Sequence, residues 1–273
     1  MSDEIQKADT NAGGIVPFDY GKDAGAGWEN TDATDFSVAF LSQLQALSAE
    51  IQEDESSYIP GSKPGMCINS VTKQLYDTFS GELIVVPCIT RHTVVEWVPR
   101  DMGGGFVAEH EINSDVVVAA KAANGGSMLN LKSEAGNELV ETYSIFALRL
   151  ESVDAKFPAE LIVIPFTRTK IKRYKEIMTR LRTIYGGNKI PLFAHRLSVQ
   201  TTKEKNPAGQ SYYNIRLVPA VENDVLKSLV SPETGREILE AGRVLRDQVL
   251  AGLAKTNYES AEGSGFEADN TPF

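Results

Sequence analysis

Cysteine is nearly missing from this chain: Cys67 and Cys88 are its only two among 273 residues, and no metal-ligand spacing surrounds them. That excludes a disulfide-stapled scaffold and a zinc ribbon, and it points to a reducing compartment. No run of 18 apolar residues occurs, so no membrane-spanning helix is expected. The opening MSDEIQKADTNAGG is acidic and polar, unlike a secretory signal, which makes the cytoplasm the expected location. Catalytic signatures are lacking as well. There is no Gly-x-Ser-x-Gly elbow and no Cys/His nucleophile pattern. The loop RDMGGGFV lacks the Gly-Lys-Ser/Thr ending of a phosphate-binding loop and reads as a flexible hairpin or a close approach to a nucleic-acid backbone. His92, Glu96, Asp101, Glu109 and His110 could be drawn as metal ligands, yet no partner motif accompanies them, and surface polarity is the plainer reading. The expectation is a non-enzyme with no cofactor and no metal.

Positive charge is also scarce, except in one place. The formal net charge is −10. Between Pro165 and Arg216, however, stand twelve Lys or Arg against two acids, Glu176 and Glu204. The remainder carries fifteen basic and thirty-five acidic residues. Such polarisation predicts a basic binding surface with acidic extensions.

Four segments follow from the patterning. Residues 1–33, rich in Gly, Asp, Asn and Ala, are expected to be a flexible acidic arm. Residues 34–220 form the binding core. Within it Phe36, Phe40, Leu44 and Leu47 fall at helical spacing, with Thr34 or Asp35 as N-cap. GMCINSVTKQLYD reads as a short hairpin, and ELIVVPCITRHTVVEWVPR as one long or bent strand whose Pro87 marks an edge or a bulge. YSIFALRL and ELIVIPF are further strands. Residues 221–257 hold a C-terminal helix with Ser231 as N-cap, Pro232 at its first position, and Ile238, Leu245, Val249 and Leu253 as the buried stripe. This helix packs on the core or pairs with its copy in a homodimer; the sequence leaves both open. Residues 258–273 are an acidic tail, whose composition predicts disorder.

The basic window divides into a helix and a hairpin. In FTRTKIKRYKEIMTRLRTIYGGNK, the residues Ile171, Tyr174, Ile177, Met178, Leu181 and Ile184 share one face, and Gly186-Gly187 closes the helix. Arg168, Lys172, Lys175 and Arg182 lie opposite, on a face almost without acids. Two alternating runs then flank KEKNPAG, a turn signal, so a hairpin with a basic tip is predicted. One of its faces (His195, Leu197, Val199, Tyr213, Ile215, Leu217) reads as core. The other offers Arg196, Gln200, Tyr212, Asn214 and Arg216. Rings beside guanidinium groups suit single-stranded nucleic acid, where bases stack and cations meet phosphates. The expected phosphate contacts are Arg168, Lys170, Lys172, Arg173, Lys175, Arg180, Arg182, Arg196, Lys203, Lys205 and Arg216. Stacking is expected from Tyr212 first, then Phe193, Tyr185 and Trp97.

The closing FEADNTPF resembles the acidic, Phe-terminated tails of bacterial and bacteriophage single-stranded DNA-binding proteins. The stretches FDYGKDAGAGWENTDATDFSVAFLSQLQALS, GMCINSVTKQLYD, VVEWVPRDMGGGFV and IPLFAHRLSVQTTKEKNPAGQSYYNIRL resemble a phage family found among replication and recombination genes. The resemblance implies an α+β fold, mainly an antiparallel OB-like β-barrel with helical insertions. It also implies that Glu267, Asp269, Pro272 and Phe273 recruit replication partners such as a polymerase, helicase or nuclease. A tail of this kind would compete with DNA for the basic groove. Two alternatives share these features: a single-strand annealing or recombination protein, and a non-enzymatic phage structural protein.

Overall fold

Strand periodicity organises the chain from Ala39 onward. The computed structural model describes residues 38–183 and 190–253, together with 27, 29, 30 and 258. The strands are β1 (Ala39–Gln43), β2 (Cys67–Asn69), β3 (Leu75–Tyr76), β4 (Leu83–Trp97), β5 (Phe106–Glu111), β6 (Leu131–Lys132), β7 (Glu138–Leu150), β8 (Glu160–Thr167), β9 (Leu197–Lys205) and β10 (Ser211–Pro219). Helices α1 (Asp115–Ala123), α2 (Lys170–Thr183) and α3 (Arg236–Leu250) complete a mixed α+β chain. None of the described helices is long and apolar enough to cross a membrane.

One sheet contains all ten strands, in the order β10-β9-β4-β7-β8-β1-β2-β3, with β5 added to β4 and β6 to β7. Only the β1–β8 pairing is parallel. The sheet curls into a half-barrel, and a side chain ties its distant strands together. The Gln45 amide, just past β1, donates to the carbonyl of Tyr213 in β10 and accepts from its N–H, both at 2.9 Å. A side chain here imitates one rung of a β-ladder.

Curling gives the sheet two buried faces, which is why β4, β7 and β8 read as near-continuous apolar runs. The concave face gathers Leu41, Val85, Ile145, Ile164, Phe166, Val199 and Leu217, with Ile177 and Leu181 of α2 laid over them. The convex face gathers Phe40, Val86, Phe146 and Val163 under Ile238, Leu245 and Val249 of α3. A third, smaller cluster sets Val117 of α1 against Val94, Leu131 and Leu139.

Several sequence expectations change here. The helix expected around Phe40 and Leu44 is strand β1, buried along its whole length. A spacing of four is also a multiple of two, so Phe36, Phe40 and Leu44 satisfy a strand face as well as a helix face. Leu47, which only the helix would have buried, is 82% exposed. Pro87 marks a bulge in an interior strand, between Pro87 and Ile89; the pairing of β4 with β9 ends two residues earlier, at Val85. Helix α3 starts at Arg236 with Gly235 as its cap, not at Ser231. The Ser231 hydroxyl instead accepts the Glu233 N–H in a tight turn. Leu253 is exposed, while the other three residues of the expected stripe are buried. Helix α1 was not anticipated. Both cysteines are free and buried, and burial pushes each thiol up to about 12.

Candidate nucleic-acid interface

Helix α2 lies along the edge strand β10. Near its start the Arg173 guanidinium pairs with Glu204 of β9 and with Glu176. Seven residues on, Arg180 bonds the side chain and carbonyl of Asn223, just beyond β10. Burial alone would raise the Glu204 carboxyl, but hydrogen bonds from Arg173, Tyr212 and Asn214 outweigh it and hold the group below its ordinary value. Both acids of the basic window are therefore occupied by Arg173.

These anchors divide the expected phosphate ligands into two sets. Arg173 and Arg180 fasten the helix. Arg168 pairs with Glu138 at 3.1 Å, and Lys170 is buried. Arg196 donates to the carbonyls of Val153, Ser228 and Leu229, so it stitches loops together. The second set, Lys172, Lys175, Arg182, Lys203, Lys205 and Arg216, is exposed and forms no ion pair among the described residues. Lys172, Lys175 and Arg182 follow offsets of three and seven, which makes one stripe along α2.

The expected rings also move. Trp97 is buried, packed edge-on against Phe106 and Tyr258, so it is removed from the stacking set. Phe193 is half-buried beneath α3, where a Cβ on Gly242 would come within 2.6 Å of its own Cβ. Tyr212 donates its hydroxyl to Glu204 at 2.8 Å and serves the anchor. Tyr185 lies outside the described residues, as do Gly186-Gly187, Glu267, Asp269, Pro272 and Phe273. The hairpin face chosen for binding is largely covered. Asn214 and Ser198 are buried, and Ser198 donates to the Gly81 carbonyl. Only Arg216 projects from that face, beside a pocket of about 370 Å³ that also touches Gln200 and Glu222.

Other rings, none of them assigned to stacking from the sequence, come together on the sheet. His92, Tyr143 and Phe166 are direct cross-strand neighbours on β4, β7 and β8. His92 stacks on Tyr143 with centroids 4.0 Å apart, and Tyr143 on Tyr174 of α2 at 4.6 Å. Tyr174 in turn meets the buried Phe166 at 5.6 Å. The ladder thus runs from the core to the surface, and the Lys175 ammonium sits 5.7 Å from the Tyr143 centroid. Glu141 bonds His92 at 3.0 Å and lies near the Tyr143 hydroxyl. Burial, then the Glu141 charge, raises the Tyr143 phenol and keeps it protonated. No local sequence signal marks this ladder, since its rings come from three strands and a helix.

A cleft of about 880 Å³ opens next to Glu141, between the Trp97–Asp101 turn, residues 128–132 and the start of α2. Its cations Arg100, Lys132 and Arg168 are balanced by Asp101, Glu138 and Glu141, so it carries no net attraction for a polyanion. His110 is bonded to Glu96 at 2.7 Å. Among the described residues no group of three His, Cys, Asp or Glu is placed to hold a metal.

A family model described as Pam3 phage gp34-like protein matches residues 10–228. No curated protein and no solved structure matches the chain.

Proposed function

The chain belongs to the Pam3 phage gp34-like protein family, and from that premise we propose that it binds single-stranded DNA without sequence preference, as a cover for exposed strands and not as a catalyst. The observation that carries the reading is the His92–Tyr143–Tyr174 ladder, whose end ring His92 is partly exposed, with Lys175 over its middle ring Tyr143 at the foot of the Lys172–Lys175–Arg182 stripe. The end ring of such a stack offers a flat face to a base of any identity, and ammonium and guanidinium groups neutralise the phosphates beside it. Duplex DNA hides its base faces, so the ladder selects unpaired strands. The proposal extends to the fold class. A curled, mainly antiparallel half-barrel capped by a helix is compatible with an OB-like binder.

The tail lies outside the described residues and enters through its composition. Glu259, Glu262, Glu267 and Asp269, tethered to a cationic surface, reach a high effective concentration there and yield to denser DNA charge. Released, Pro272-Phe273 would be available to a replication partner such as a polymerase, helicase or nuclease.

Fluorescence anisotropy of labelled oligo(dT) tests this, using intact protein and a form ending at Ser260 across a salt series. Binding should weaken with a log–log slope of about −4 if each of the six exposed cations meets a phosphate. The shortened form should bind tighter. Absence of binding at low salt by either form overturns the proposal in favour of a structural phage protein. Growth of rings or filaments on the oligonucleotide, seen by light scattering, would instead favour annealing.

A further inference from the structure

The hairpin face assigned to the core does not stay apolar to its end. Ile215 and Leu217 are buried in the concave core, but Tyr213 lies beyond it, only half-buried. Its cross-strand partner Lys203 holds its ammonium 5.8 Å from the Tyr213 ring centroid. Against the same ring, edge-on at 6.0 Å, stands Phe79, which is 54% exposed.

Single exposed apolar residues are common and need no explanation. This one is held in place. The turn that bears it is fixed by Asp77, whose carboxylate accepts the Phe79 N–H at 3.0 Å, and by Ser80, whose hydroxyl bonds the Asp77 carbonyl. Thr78, beside it, bonds Thr201 of β9 through both its hydroxyl and its carbonyl. Below the rings lies Gly65, with φ +95°. A Cβ there would come within 2.4 Å of the tip of Phe79 and 2.8 Å of Tyr213. Only glycine combines that backbone conformation with so close a seat. The Gln45 amide fixes the Tyr213 backbone from the other side. The aromatic surface is thus braced from beneath and open above.

We infer that Phe79 and Tyr213, with Lys203, form a second stacking site that takes one unpaired nucleobase and its phosphate. This rests on the single-strand reading above and extends it. A flat π-face answers a base, and a cation beside it answers the anion that every nucleotide carries. Neither an acidic peptide nor an apolar side chain would use both. The Arg173–Glu204 ion pair joins the start of α2, which carries Lys172 and Lys175, to β9, the strand that carries Lys203.

The test is oligo(dT) anisotropy over a salt series with wild type, Phe79→Ala and Phe79→Leu. The ring is exposed, so both variants should unfold within a few degrees of wild type. Each should bind about five- to hundredfold more weakly, the loss expected for one stacked base, with an unchanged salt slope because no cation is removed. If Phe79→Ala fails to fold, the leucine variant decides alone, since it keeps the apolar seat and lacks only the π-face. Wild-type affinity in the folded variants, or in Phe79→Leu alone, overturns the second site and leaves the first standing. A wild-type protein that shows no salt-dependent binding overturns both.

Discussion

His195 illustrates how much of a residue's role lies in its surroundings. Arg196, next to it, reads as a phosphate ligand and serves as a clamp on three carbonyls. His195 reads as a core-facing strand residue and is buried, with Nδ1 near the carbonyls of Pro191 and Leu192 and, among the described residues, no partner for Nε2. Burial lowers its pKa from the ordinary 6.5, against the smaller opposing pull of those carbonyls. The unfolded chain therefore takes up a proton at a pH where the folded chain does not. Stability is complete above about 6.5 and declines as pH falls towards the lowered folded value. Thermal midpoints at pH 7.5 and 5.5 should show this decline in wild type and a smaller one in His195→Asn. Equal declines would remove His195 as the cause.

Among the elements, the outer helix α3 is seated closely on the sheet at Gly242. Gly242 lies against the sheet side of that helix, where an added Cβ would stand 2.6 Å from Phe193 Cβ and 3.4 Å from the Cys88 sulfur. In an exposed helix, alanine for glycine gains about 1 kcal/mol. Here overpacking costs about 1–3 kcal/mol and outweighs it. Gly242→Ala should lower the urea midpoint, with a net loss of up to about 2 kcal/mol. A raised midpoint would show that Phe193 can yield. Helix α2 was legible because its apolar spacing is strong and matches only one period. Strand β1 was not, because Phe36, Phe40 and Leu44 fit two periods at once. Helix α1 was missed for a different reason: in DVVVAAKAA, three adjacent valines blur a helical pattern, and only Val117 is buried.

At the scale of the molecule, closure of the half-barrel hangs on few groups. Gln45→Ala would leave the N–H and carbonyl of Tyr213 without these partners, at a cost of about 1–2 kcal/mol. Hydrogen exchange in β10 should quicken, while the central β7, paired along its length by β4 and β8, should not change. Uniform quickening would mean that the sheet opens as one unit. The same closure also brings Phe79, Gly65 and Tyr213 together, residues far apart in the sequence.

What the sequence by itself determined is whatever depends on local pattern and on totals. These are the charge polarity of the chain, the basic amphipathic helix, the β9–β10 hairpin, an irregularity at Pro87 and the apolar interior strands. Each needs only a period of two or 3.6, a turn residue, or a count. The tertiary structure alone decided which cations stay open to solvent and which rings face it. Arg173, Arg180 and Arg196 are used up by Glu204, Asn223 and loop carbonyls from distant parts of the chain. Trp97 is lost to the convex core, and His92, Tyr143 and Tyr174 meet only through cross-strand register and helix packing. A side chain's availability depends on what the fold sets beside it, and no local period carries that information.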